Sequence, residues 1–206
     1  MFLCTFLYIV CTKKDKNMKN IAILASGEGT NAERIIRYFE EKEEVNVAVV
    51  IASRASAGVI KRVEHLHVPC RVVTSAGFAS GEALQVLQEY KTDFVVLAGF
   101  LLRIPDDILH AYPKRMVNIH PSLLPKFGGK GMYGIHVHEA VLKAGEEESG
   151  ITIQYINEKY DEGDYIFQAR CPVLPDDTPE ALAERVHQLE YQYYPEVIEK
   201  LVLCLK

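Results

Sequence analysis

Between residues 20 and 119, short apolar runs alternate with amphipathic stretches, and this alternation limits the fold more than any other feature of the chain. The runs lie at 21–24, 45–52, 71–73, 94–98 and 116–119 and are rich in Val, Ile and Ala. The stretches between them, 31–43, 57–67, 80–91 and 106–112, place apolar residues at helical spacing, as at Ile35, Ile36 and Phe39. A strand that is apolar throughout has both faces covered, so the pattern predicts a parallel sheet flanked by helices. Beyond Ile119 the pattern changes. Residues 121–135 hold two prolines and four glycines and read as a loop, followed by a helix at 138–144. Residues 150–156 and 166–173 read as a strand pair joined by a charged turn. The closing helix spans 178–203, with Thr178 as N-cap, Pro179 at its first position and Glu180 in its first turn. The expected class is α/β: an open, mostly parallel, Rossmann-like sheet with helices on both faces and an antiparallel strand addition near the C-terminus.

A chain of 206 residues forms one core without help from disulfides or metals. A single domain over 18–206 is expected. Residues 1–17 read as an extension ahead of a start at Met18, non-native or disordered. Their apolar run is too short to span a bilayer, and its lysines follow it where a signal peptide would place them first. A net charge of −5 argues against a nucleic-acid binder, yet leaves room for an anionic small substrate held by backbone amides. Five scattered cysteines with no C-x-x-C pair fit a reducing cytoplasm.

Chemistry concentrates in three places. The first run ends in SGEGTN, residues 26–31, where two glycines, a hydroxyl and an amide open a helix; this is a phosphate-binding arrangement. It also satisfies a loose dinucleotide pattern, but Ser53-Arg54 stands where a ribose-binding carboxylate belongs. In the second, strand alternation puts Asn118 and His120 on one face at the C-terminal end of a strand, just before Pro121. A histidine exchanges a proton near neutral pH, and an asparagine amide can stabilise an oxyanion. The third is the charged turn at 157–164, where Asp161, Glu162 and Asp164 are equally placed to partner His120. His120, His136 and His138 invite a metal reading, but they lack ligand spacing and His138 is expected to open a helix. No nucleophile elbow or Walker loop is present, which favours direct transfer over a covalent enzyme intermediate.

With SGEGTN, VVLAGF at 95–100, NIHPSLLPKF from Asn118 and YDEGD at 160–164, the chain resembles the phosphoribosylglycinamide formyltransferases, folate-dependent enzymes of purine synthesis. The resemblance implies a catalytic set of Asn118, His120 and Asp161, and so chooses Asp161 where spacing did not. It implies that Gly29, Thr30 and Asn31 hold the substrate phosphate and that His187 and Glu190 meet the ribose. The co-substrate 10-formyltetrahydrofolate would lie against Leu101, Leu102, Arg103 and Ile104, and against Asn118, Asn157, Glu158, Lys159, Tyr160 and Asp161. The implied reaction is direct attack of an amine on the formyl carbon, with the oxyanion held by Asn118 and by a protonated His120 beside Asp161. Small-molecule substrates, no metal, no nucleic acid, no membrane and a monomer or homodimer complete the expectation.

Three departures from the family pattern stand out. The turn reads Asp-Glu-Gly for Asp-Gly-Gly, residues 127–135 are longer than a short Pro-Gly link, and Leu101-Leu102-Arg103 shifts a positive charge by one place. The rival readings are a formyltetrahydrofolate hydrolase, a methionyl-tRNA formyltransferase and a non-catalytic nucleotide-binding module. The first two are expected to need an additional domain, and the third lacks its ribose ligand.

Overall fold

The computed structural model describes Thr5–Phe6 and residues 18–205, so the expectation for residues 1–17 falls largely outside the described residues. The chain forms two compact units, one of residues 18–117 with 195–205 and one of residues 118–194 with Thr5–Phe6, strand β1.

In the first unit the strands are β2 (Lys19–Ala25), β3 (Val45–Ala52), β4 (Cys70–Val72) and β5 (Phe94–Leu97). They pair in parallel in the order β5-β2-β3-β4. The helices α1 (Thr30–Phe39), α2 (Val59–Glu64), α3 (Ser75–Ala79), α4 (Glu82–Glu89) and α5 (Asp106–Ala111) alternate with them. The last five residues of β2 and all of β5 are buried, which is why these strands carry no polar alternation. Helix α1 turns Ala32, Ile35, Ile36 and Phe39 inward. Burying each of these larger side chains contributes about 1.5–3 kcal/mol. The helix expected over 80–91 is α4, and the short α3 before it is an addition that the apolar pattern does not announce. Gly81, at φ +85°, separates α3 from α4, and α3 buries Phe78.

The second unit opens with the end of β6 (Met116–His120), followed by α6 (Ile135–Lys143), β7 (Glu148–Tyr155), β8 (Tyr165–Pro172) and the N-terminal part of α7 (Pro179–Leu203). Strands β7 and β8 are antiparallel, with Ile151 opposite Ala169 and Thr152 opposite Gln168, and β1 pairs with β8 antiparallel. Thr178 caps α7 by accepting the Ala181 N–H at 3.2 Å. Helix α6 starts at Ile135, directly after Gly134, so His138 lies inside the helix rather than opening it. His136 is exposed and pairs with Glu139, while His138 is buried. Parallel strand–helix units followed by antiparallel strands make the class α/β, mostly parallel, with the antiparallel addition near the C-terminus.

Candidate active site

In the first unit the chain leaves β2 in one direction to β3, while β5 returns on its other side. The C-terminal ends of β2 and β5 therefore form the switch point at which open α/β sheets bind ligands. The loop 26–29 leads from there into α1. Gly29 is its hinge: at φ +78° it adopts a left-handed conformation, and a Cβ there would lie 2.5 Å from the Val59 side chain. Only glycine satisfies both demands. No side chain caps α1, whose first residues are Thr30 and Asn31, so its first turn offers backbone donors and a positive dipole end.

Ser26 ties this loop to its neighbours. Its N–H donates to Gly99 O at 3.0 Å, and its buried hydroxyl accepts from Ser53 Oγ at 2.8 Å and from the Leu101 N–H at 3.0 Å. Loops following β2, β3 and β5 are thus fastened at one point. Arg62 of α2 braces the same loop, donating to Glu28 O and to the Glu33 carboxylate, both at 2.8 Å. The Arg62 hydrogen bond is the main reason that the Glu33 carboxyl is held below the usual range. Of the four residues after Phe100, Leu101 is 46% exposed and Leu102 half-buried. Arg103 is exposed and pairs with Asp106 at 3.1 Å, while Ile104 is buried.

In the second unit, β6 presents Asn118, half-buried, and His120, 4% exposed, on the same face. His120 Nε2 donates to Phe127 O at 2.8 Å, and Nδ1 faces Asp161 Oδ1 at 3.6 Å. The structure therefore brings His120 and Asp161 together. Asp161 holds a left-handed backbone at φ +55°, accepts the Gly129 N–H at Oδ2 (2.8 Å) and accepts Gln154 Nε2 at Oδ1 (3.1 Å). Thr152, two residues before Gln154 on β7, accepts the Leu124 N–H at 3.0 Å and donates to Ser122 O at 2.7 Å. One face of β7 fixes both the segment after His120 and the carboxylate opposite it.

The turn carrying Asp161 is preset by Asn157, which accepts the Lys159 N–H and donates to Glu162 O, both at 2.9 Å. Glu158, Lys159 and Tyr160 are exposed on it. A Cβ at Gly163 would fall 1.7 Å from Tyr155 O, so the turn closes only over glycine. Glu162, the departure from the family pattern, points outward and pairs with Lys159 at 3.2 Å. On α7, His187 is exposed and Glu190 buried, with Nε2 and Oε2 4.0 Å apart. His138 on α6 is pushed down to about 4 by burial and by His187 and His120. Among the described residues no group of three His, Cys, Asp or Glu is placed to hold a metal ion, and no helix is long and apolar enough to cross a membrane.

The family described as "Formyl transferase" matches residues 19–198, running through both clusters. The chain belongs to the formyl transferase family. It is 34% identical over 191 residues to the phosphoribosylglycinamide formyltransferase of Bacillus subtilis, covering 90% of this chain and 95% of that one. It is 40% identical over 188 residues to a chloroplastic phosphoribosylglycinamide formyltransferase of Arabidopsis thaliana, covering 87% of this chain but only 64% of that longer protein. The solved glycinamide ribonucleotide transformylase 1 of Symbiobacterium toebii superimposes with a TM-score of 0.82 at 35% identity, covering 89% of this chain and 87% of that one. This likeness confirms the expected class, a mostly parallel sheet with antiparallel strands at its C-terminal end and helices around it.

For this member of the formyl transferase family, sequence reasoning missed the bridge between Ser26 and Ser53 and the parts played by Arg62, Phe127, Gly129 and Gln154. The long 127–135 segment is read from sequence as a link over the site. Its first residues instead supply backbone groups to His120 and Asp161. Ser26 and Ser53 carry a signal, each being a buried polar residue directly after a buried strand, whereas Arg62 and Gln154 sit in ordinary helix and strand patterns.

Proposed function

We propose that this chain transfers the formyl group of 10-formyltetrahydrofolate to the amine of 5'-phosphoribosylglycinamide, giving formylglycinamide ribonucleotide for purine synthesis. The observation that carries the reading is the His120–Asp161 pair, anchored by Phe127 O and Gly129 N, on a strand that also presents Asn118. The names of the relatives support phosphoribosylglycinamide as the acceptor and formyl as the group transferred.

The substrate amine attacks the formyl carbon, the bond to the folate nitrogen breaks, and that nitrogen takes up the proton the amine releases. The Asn118 amide donates to the developing oxyanion and the positive charge of a protonated His120 stabilises it, which is the interaction that grows in the transition state. Asp161 orients the imidazole and assists the proton's passage through water. The α1 entrance at Gly29, Thr30 and Asn31 takes the phosphate on its amides and positive dipole end, without a net positive chain. His187 and Glu190 meet the ribose. The folate is held by Leu101, Leu102, Arg103 and Ile104, and by Asn118 and the 157–161 stretch. Residues 18–206 act as one formyltransferase domain, a reading supported by a single family match running through both units. A cytoplasmic monomer or homodimer acting on small molecules, with no metal and no nucleic-acid or membrane partner, completes the proposal.

A spectroscopic assay of folate deformylation tests it, run with and without the ribonucleotide beside His120→Ala. Deformylation that requires the ribonucleotide and disappears in His120→Ala supports the transferase. Deformylation without the ribonucleotide identifies a hydrolase instead. No deformylation by folded protein leaves a non-catalytic binding module.

A further inference from the structure

Gln154 is 1% exposed, and its side chain uses only one of its two polar ends. Nε2 donates to Asp161 Oδ1 at 3.1 Å, while Oε1 has no hydrogen-bond partner. The orientation is fixed by chemistry: a reversed amide would set a carbonyl oxygen against a carboxylate. Burying an amide with one end unpaired costs about 1–3 kcal/mol, so a leucine or methionine would serve the core better. The amide is therefore poorly explained as filling.

Its place explains it. Oδ1 is also the oxygen that faces His120 Nδ1, at 3.6 Å, while Oδ2 is occupied by the Gly129 N–H at 2.8 Å. Two hydrogen bonds pin the two oxygens, and the carboxylate cannot rotate or advance on the imidazole without breaking one. We propose that Gln154 is a positioning residue for formyl transfer: it sets the approach of Asp161 to His120 and acts through that carboxylate alone. This rests on the transferase reading above.

The test is a double-mutant cycle on the full chain, with Gln154→Leu and Asp161→Asn singly and together, followed by single-turnover formyl transfer at saturating substrates. Gln154→Leu is expected to slow the transfer step about tenfold and leave both KM values within twofold. In the Asp161→Asn background it should change the rate less than twofold, because the group it positions is gone. A tenfold loss in both backgrounds, or a loss expressed in KM, overturns the proposal. Ring-nitrogen NMR shifts of His120 give a readout independent of turnover. They should move in Gln154→Leu while the backbone amide spectrum stays dispersed, and unmoved shifts overturn the proposal. Failure of the transferase reading is separately visible, since the unsubstituted chain would then transfer no formyl group while the His120 shifts still answered to Gln154.

Discussion

The carbonyl oxygen of Phe127 lies 2.8 Å from Nε2 of His120, and this contact fixes which ring nitrogen bears a proton. A carbonyl can only accept, so Nε2 must donate. The acceptor facing Nδ1 is Asp161, and a ring carrying both protons can donate at each nitrogen. Long-range proton–nitrogen NMR should find Nε2 of His120 protonated whether the ring is neutral or charged. A neutral ring protonated at Nδ1 would refute the assignment.

Gly29→Ala should weaken both fold and phosphate binding. The new methyl group would meet Val59 at 2.5 Å, in a backbone conformation costly for alanine. A loss of about 1–3 kcal/mol is expected by urea denaturation. The KM for the ribonucleotide should rise, with the KM for formyl-folate less affected.

Arg62→Met keeps most of the aliphatic stem but removes the donors to Glu28 O and Glu33. The loop then loses its brace while Gly29, Thr30 and Asn31 remain. The expected result is a rise of about fivefold in KM for the ribonucleotide, matching roughly 1 kcal/mol, with kcat within twofold. A change confined to kcat would contradict this role.

His138 predicts how stability varies with pH. Its folded pKa of about 4 lies below the ordinary histidine value, chiefly through burial. Below about pH 6.5 the unfolded chain takes up a proton that the folded chain refuses. The contribution is complete above that pH and shrinks as pH falls toward 4, by about 2 kcal/mol at pH 5. Urea midpoints at pH 8 and pH 5 should separate accordingly, and His138→Leu should remove that part of the difference.

Gly163→Ala should be the most damaging of these changes. Its Cβ would collide with the backbone oxygen of Tyr155 at 1.7 Å, and a backbone atom cannot swing aside. A loss above about 3 kcal/mol, or failure to accumulate folded protein, is expected; near-native thermal melting would contradict it.

The first unit was legible because its strands are buried, and burial writes itself into sequence as unbroken apolar runs, as at Val45–Ala52. Helix α3 was not, since Ser75–Ala79 is a single turn or so of small residues around Phe78, too short to show a helical repeat before Gly81. At the candidate site, Asn118, His120 and Gly29 stood out through residue type and spacing. Gln154 did not, because inward-facing strand positions read as core until a partner 3.1 Å away gives one a purpose. Phe127 and Gly129 act through backbone atoms, which every residue but proline shares, so no side-chain pattern encodes them.

Residues 127–129 serve the histidine–aspartate pair with main-chain oxygen and nitrogen, so what they must keep is a backbone path: Gly129 turns at φ +92°, and a Cβ at Gly128 would lie 2.4 Å from the Leu124 side chain. Deleting a single residue would pull carbonyl and amide out of step with His120 and Asp161 together. The segment works as a measuring rod between His120 and Asp161, and its length is the quantity it sets.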